Sequence, residues 1–289
     1  MRKYPSVAIV IATFNAASTV TAAVRSVLDQ DYPNLELLVI DGASTDSTVE
    51  LVNSFKDGRI RIVSEPDKGI YDAWNKGVQM SSADRILFIG ADDTLNGTSA
   101  ISDFWNRCNL DLTDHGIVYA DLIALGVDGV QMGKVGGEWK DPWSFSGRHA
   151  WCSFPIPIMA SFFDRELILT AGGFDADLRI MADIDLVLRV TKLTRPGYLP
   201  GRAVTRMGFG GISTRPEAGA LAMREAVLVR RIHGLGTFSN LEFLARLAQH
   251  RIKYLIAKHL GLEASRKMVG LLHRLKKAVS TVQTRHSEK

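Results

Sequence analysis

The sequence is poor in cysteine, with only Cys108 and Cys152 in 289 residues. That scarcity excludes a disulfide-stapled scaffold and a zinc site made of four thiolates, and it suits a reducing compartment. Long apolar runs are missing too. No window of about 18 apolar residues occurs, so no membrane-spanning helix is expected. The apolar stretch at residues 7–12 is too short for the core of a secretion signal and runs straight into Thr13-Phe14-Asn15. These absences predict a cytoplasmic location. There is no internal repeat and no low-complexity tract. Hydrophobic residues at 46% and charged residues at 23% exclude a disordered or fibrous chain. The length suits one large domain or two modest ones, at roughly 100–200 residues per domain.

The net charge of +4 is the sum of two unlike parts. Residues 1–245 carry 24 Lys and Arg against 29 Asp and Glu, a net of −5, whereas residues 246–289 carry 11 against 2, a net of +9. A basic label for the whole chain would therefore mislead. The basic segment has one aromatic residue, Tyr254, which argues against stacking on nucleic acid. Leu244 just before it and its Leu247, Leu255, Leu271, Leu272 and Leu275 recur at helical spacing. Two readings stay open: a solvated helix lying on the folded body, or a peripheral anchor on anionic lipid. Each basic residue near such a surface adds about 1 kcal/mol.

Over the first 120 residues, short β-branched runs alternate with helical patterns. Residues 7–12, 35–40, 60–63 and 85–89 read as strands buried on both faces. Apolar stripes at Thr19, Ala23, Val24, Val27 and Leu28, at 48–55 and at 71–79 read as helices. This alternation predicts an α/β fold with a mostly parallel sheet, whose ligands bind beyond the carboxyl ends of the strands. Residues 121–160, rich in Gly and Trp, read as short antiparallel strands and loops. Helical patterns return at 164–171, at 183–192 and from 217 onward.

Three strand ends are unusually polar: Thr13-Phe14-Asn15, Asp41-Gly42-Ala43-Ser44-Thr45-Asp46, and Gly90-Ala91-Asp92-Asp93. Asn, Asp, Ser and Thr also favour helix N-caps, so each loop has a capping explanation. The adjacent carboxylates of Asp92 and Asp93 repel unless they are solvated or share a cation. Mg²⁺ takes carboxylate and phosphate oxygens, often with only one or two carboxylates. The densest stretch runs from Glu65 through Asp67, Gly69, Tyr71, Asp72, Trp74 and Asn75 to Gly77. Asp72 and Lys76, four apart on one helix, read as a surface pair, with Trp74 in the core.

These motifs, in this order over about 90 residues, resemble the family 2 glycosyltransferases of the GT-A fold, in the bacterial branch that builds surface polysaccharides. The resemblance extends more weakly to about residue 214. It implies a GT-A domain at 1–215, with a nucleotide-binding half at 1–120 and an acceptor-side half at 121–215, followed by a helical basic region at 216–289. It implies that Thr13, Asn15, Asp41, Asp67, Gly69 and Asn75 hold the nucleotide side. Asp92 would face the ribose or metal, and Asp93 would bind the Mg²⁺ or Mn²⁺ that bridges the diphosphate. Gly172-Gly173-Phe174-Asp175, then Met181-Ala182-Asp183-Ile184-Asp185-Leu186 and Arg189, resemble the acceptor-side segment of the family. There Asp183 falls on the position of the general base, although as a sequence feature it also reads as the N-cap of the helix that follows. Gly208–Thr214 resembles a loop that closes over the diphosphate, and equally a plain connection.

Three positions depart from the pattern. Gly42 stands where a second Asp is common, Gly90 or Ala91 where the metal segment often begins with an acid, and Ala182 where a Glu often precedes the base. The expected activity is inverting transfer of a sugar from a nucleotide-sugar, UDP-linked by preference, to a hydroxyl of a lipid-linked glycan. The alternatives are a nucleotidyltransferase, which should carry a Gly- and Arg/Lys-rich loop after the first strand, and a non-catalytic nucleotide-sugar-binding module.

Overall fold

A computed structural model describes residues 4–108, 115–126, 129–142, 155–208 and 218–235. The basic tail at 246–289, the loop at 209–216, and Trp143, Trp151 and Cys152 fall outside these residues.

The four expected strands are present as β1 (Val7–Thr13), β2 (Leu35–Asp41), β3 (Ile60–Ser64) and β4 (Arg85–Gly90), each with one more polar or small residue at its carboxyl end than the apolar runs suggest. They pair in parallel in the order β3-β2-β1-β4. Helices α1 (Val20–Leu28), α2 (Thr48–Asn53) and α3 (Ile70–Met80) join them. In α1 the buried residues Val20, Ala23, Val24 and Val27 form one stripe at the i, i+3, i+4, i+7 spacing of a face turned to a core.

The chain then continues through β5 (Thr94–Leu95) and α4 (Ala100–Arg107) to the hairpin of β6 (Ile117–Leu125) and β7 (Gln131–Val135). After it come β8 (Ser161–Asp164), α5 (Arg165–Thr170), α6 (Ala182–Thr191), β9 (Gly197–Met207) and α7 (Ala218–Ile232). The antiparallel region is no separate sheet. β8 joins the edge of β4 antiparallel, and β6, β9 and β5 follow in one continuous sheet.

Two cores cover the sheet. β1 sends Val7, Ile9 and Ile11 into one and Ala8 and Val10 into the other, as the two-residue period of a strand requires. The first core holds α1 and α4, with Phe104 and Trp105 against Phe162. The second holds α3 and α6. In it Trp74 is 2% exposed and packs 5.1 Å from Phe88 and 5.4 Å from Phe174 between ring centroids, so its core assignment is right. Each such side chain contributes roughly 1.5–3 kcal/mol by burial. Ala218 and Val229 of α7 and the following Leu235 belong to this same core. α7 thus packs on the same core as α3 and α6.

Candidate active site

The carboxyl ends of β1, β2, β3 and β4 lie side by side, and their polar residues interlock. Asp41 is fully buried. Its Oδ1 accepts from Thr13 Oγ1 at 2.8 Å and from Ser44 Oγ at 2.5 Å, and its Oδ2 from the Ser44 N–H at 2.8 Å and Ser64 Oγ at 2.7 Å. Burial alone would push its pKa up. The donors from Ser44, Ser64 and Thr13 outweigh that and hold it below the ordinary value. Asp41 thus fastens three strand ends together. Asn15 sits above it at φ +49, its Oδ1 accepting the Thr45 N–H at 2.9 Å while its own N–H donates to Ser44 Oγ at 2.7 Å. Between Thr13 and Asn15 the ring of Phe14 is 64% exposed. It is a flat apolar face at the ligand end of the sheet. The sequence carries no sign of it beyond its place in the motif.

Asp67 is half-buried and accepts the Gly69 N–H at 2.8 Å. Burial first, offset in part by that N–H and by Lys76, raises its pKa. A Cβ built on Gly42 would lie 2.7 Å from Asp67 Oδ2. The glycine at the position where a second Asp is common thus makes room for the Asp67 carboxylate. Gly69 itself, at φ +127, precedes α3. Asn75 faces the other way. Its Nδ2 donates to the Phe174 carbonyl at 2.8 Å and its Oδ1 accepts the Phe174 N–H at 2.7 Å, which ties α3 to the Gly172-Gly173-Phe174 turn. The Lys76 ammonium lies 2.9 Å from Glu65 and 3.9 Å from Asp72, so its nearer partner is Glu65.

The two adjacent carboxylates separate sharply. Asp93 is 1% exposed, its Oδ2 accepting the Gly90 N–H at 2.7 Å and its Oδ1 the Gly208 N–H at 2.9 Å. Burial, then the charge of Asp92, push its pKa up to about 7. The sequence expectation places Asp93 on the metal, and the two carboxylates differ in what they present to a ligand. Both Asp93 oxygens are engaged by backbone, whereas Asp92 is exposed. A Cβ on Gly90 would lie 2.9 Å from Asp92 Oδ1 and 3.0 Å from Asp93 Oδ2, so the glycine leaves room for both carboxylates. Neither residue caps α4, because β5 intervenes. Among the described residues no cluster of three or more His, Cys, Asp or Glu side chains could hold an ion alone. One open carboxylate at a strand end fits a hard cation that takes its other ligands from a diphosphate.

On the acceptor side Asp183 lies in the first turn of α6, and the N-cap is Met181. Asp183 is therefore not the cap. Its Oδ1 accepts the Ile184 N–H at 2.8 Å and lies 3.4 Å from Tyr71 Oη. Burial is the main cause that raises its pKa to about 6. Tyr71, from the nucleotide-side segment, donates to the Ile180 carbonyl at 2.8 Å. A groove of about 270 Å³ between Lys68, Gly69, Tyr71, Asp72, Leu178 and Arg179 joins the two segments. Asp185, two residues on, accepts from the Arg189 guanidinium at 2.6 Å and lies 2.8 Å from His233 Nε2. Arg189 also donates to the Gly173 carbonyl at 2.7 Å. Sequence reading missed the His233 contact to Asp185 and the buried Glu225 of α7, since both act across more than 40 residues of chain.

The profile described as Glycosyl transferase family 2 matches residues 8–149. The PGL/p-HBAD biosynthesis glycosyltransferase of Mycobacterium tuberculosis is 30% identical over 219 residues, covering 72% of this chain and 79% of that protein. The UDP-Glc:alpha-D-GlcNAc-diphosphoundecaprenol beta-1,3-glucosyltransferase WfaP of Escherichia coli is 36% identical over 88 residues, 30% of this chain and 35% of that one. In fold, the mannosyltransferase PcManGT of Pyrobaculum calidifontis, solved with GDP-Man and Mn²⁺, superposes at a TM-score of 0.60 and 16% identity, covering 100% of this chain and 82% of that one. Similarity sustained over most of two whole chains, together with the profile match, establishes the relationship: this chain belongs to the family 2 glycosyl transferases and is a glycosyltransferase.

Proposed function

We propose that the chain transfers a sugar, with inversion, from a nucleotide-sugar to a hydroxyl of a lipid-linked glycan, using Asp183 as the base. The observation that carries this reading is the Asp183 carboxylate. It stands at the meeting point of the two halves, against Tyr71, with its pKa raised to about 6 by burial. Inversion requires the acceptor hydroxyl to attack opposite the leaving diphosphate, and a carboxylate on the acceptor side must then take its proton. A base works best when its pKa lies near the working pH. Family membership removes the nucleotidyltransferase and the non-catalytic module as alternatives.

On the donor side, Thr13, Asn15, Asp41, Asp67 and Gly69 shape the end of the sheet, and Phe14 offers its ring to the base. Asp92, exposed beside the buried Asp93, would hold Mg²⁺ or Mn²⁺. When bound, such an ion neutralises charge that develops on a departing diphosphate. Asn75 holds the Phe174 turn in register with α3. The UDP preference draws on WfaP, whose name gives a UDP-sugar donor and a diphosphoundecaprenol acceptor. The fold neighbour PcManGT was solved with GDP-Man, which makes the nucleotide the first thing to measure.

No helix among the described residues is long and apolar enough to cross a membrane. The tail at 246–289, with its net +9, would supply attraction to an anionic membrane that carries a lipid-linked acceptor.

The test is a panel of UDP- and GDP-sugars, each with and without Mn²⁺ or Mg²⁺, scored by thermal stabilisation and then by product formation. A UDP-sugar that stabilises only with the cation, and whose product has inverted anomeric configuration, supports the reading. A retained configuration sinks it. Removal of residues 246–289 should release the protein from anionic vesicles, and unchanged vesicle binding would refute the anchor.

A further inference from the structure

We infer that Glu225 is a positioning residue for Asp183, which makes α7 part of the catalytic unit. The inference rests on the reading of Asp183 as the base. Glu225 is 7% exposed. Its Oε1 accepts the Arg179 N–H at 2.8 Å, and its Oε2 accepts the Ile180 N–H at 2.8 Å and the Met181 N–H at 3.0 Å. These three peptide groups form the strap that leads into α6, and Asp183 follows two residues later. They precede the helix and have no partners within it. A carboxylate supplies three charge-assisted bonds at once, stronger than neutral ones.

The strap is held from its opposite side as well. Tyr71 Oη donates to the Ile180 carbonyl at 2.8 Å and lies 3.4 Å from Asp183 Oδ1. Glu225, the strap, Tyr71 and Asp183 therefore form one connected chain of contacts. A displacement of the strap moves the Asp183 carboxylate and the hydroxyl beside it together. Simple helix packing does not account for Glu225. An apolar residue there would bury as much surface, but it would leave three strap N–H groups without their acceptor. The packing of α7 has other supports, in Met223, Ala226 and Val229 and in the Asp185–His233 contact at 2.8 Å. Glu225 can thus be altered without removing what docks the helix.

The experiment uses the full chain. Glu225→Gln keeps the shape and removes the charge and one acceptor. It should lower kcat on the order of 10- to 100-fold, the usual consequence of a catalytic group displaced by about 1 Å, while KM for the nucleotide-sugar stays within about twofold. Added to Asp183→Asn, the same substitution should cause no further loss, because residues that act as a unit are not additive. A folded Glu225→Gln enzyme with wild-type kcat overturns the inference, as does a full additional loss in the Asp183→Asn background. Wild-type transfer by Asp183→Asn alone overturns the base reading instead, so the two failures are told apart. If Glu225→Gln does not fold, Tyr71→Phe loosens the strap from its other side with Glu225 in place. A lowered kcat at unchanged donor KM is expected there, and an unchanged kcat overturns the inference.

Discussion

The two sides of the site hold their carboxylates in different ways. On the donor side Asp41 is saturated by donors from Thr13, Ser44 and Ser64, residues that stand at the ends of neighbouring parallel strands or three positions along. Asp93 is held by Gly90, three residues back, and by Gly208. On the acceptor side the setting of Asp183 is assembled from afar, by Tyr71 on α3 and through a strap that Glu225 on α7 secures. Asp41 and Asp93 chiefly tie strand ends and turns together, while Asp92 and the Phe14 ring stay exposed. The acceptor side instead places a single carboxylate whose pKa sits near neutral. The difference teaches that the two sides should respond differently to mutation.

The largest contrast is expected at Asp183. Asp183→Asn should lower kcat by roughly 10²–10⁴ while nucleotide binding persists, as measured by turnover and by ligand-induced thermal stabilisation. The pH profile follows from the same group. With its pKa raised to about 6, Asp183 is protonated and inactive as a base below that value, so kcat should rise with pH through about 6 and level off above it. A flat profile between pH 5 and about 7 would break the contrast at its centre.

Next come the adjacent pair. Asp92→Ala should abolish the Mn²⁺- or Mg²⁺-dependent part of donor affinity and leave stability within about 0.5 kcal/mol, because the side chain is exposed. Asp93→Ala should instead destabilise the fold by about 1–3 kcal/mol, since the Gly90 and Gly208 N–H groups lose their acceptor. Calorimetry of donor binding and chemical denaturation separate the two. If Asp93→Ala leaves stability intact and removes metal dependence, the assignment taken from sequence was the right one.

What could be read in the sequence follows this same division. The strands β1 to β4 and helices α1 to α3 were legible, because each is specified by its own periodicity and each polar strand end by a short motif. The donor-side candidates cluster within about 80 residues, and the sheet brings them to one edge by a rule general to parallel α/β folds. The unequal burial of Asp92 and Asp93 was not legible. Two identical neighbours differ only in which way the turn points them, and the Gly208 N–H that engages Asp93 comes from 115 residues away. Nor was the helix start before Asp183, since Met181 is no capping type and its N–H is satisfied by Glu225. The sequence past 217 carries no motif, and the meaning of Glu225 exists only once α7 lies on the strap.

Asp41 sharpens the comparison at a smaller scale. Asp41→Ala leaves several donors at the strand ends unsatisfied and should destabilise by about 1–3 kcal/mol even without ligand. Its pKa is lowered from 3.8 in the folded chain. Its stabilisation is therefore fully present above the unfolded value and is lost as the pH falls through the lower folded one. A denaturation series from pH 7 downward should show a stability loss below about pH 4 that Asp41→Ala lacks. Unchanged stability of the variant at pH 7 would mean that Asp41 serves the ligand alone.

The smallest effect is expected at Lys76, where the donor side meets solvent. Its ammonium lies 2.9 Å from Glu65 and donates to the Pro66 carbonyl at 3.0 Å, but Glu65 is more than half exposed. Exposed pairs contribute about 0.2–1 kcal/mol and weaken with salt. Lys76→Ala should therefore cost less than about 1 kcal/mol, less still at high salt, and should leave kcat unchanged. Lys76 also lowers the raised pKa of Asp67, which packs against Gly42 at the nucleotide edge. Any kinetic effect should appear in donor KM alone. A loss of kcat in Lys76→Ala would mean that the two sides of the site are coupled through α3, whose Tyr71 lies 3.4 Å from Asp183, and the division drawn between them would have to be given up.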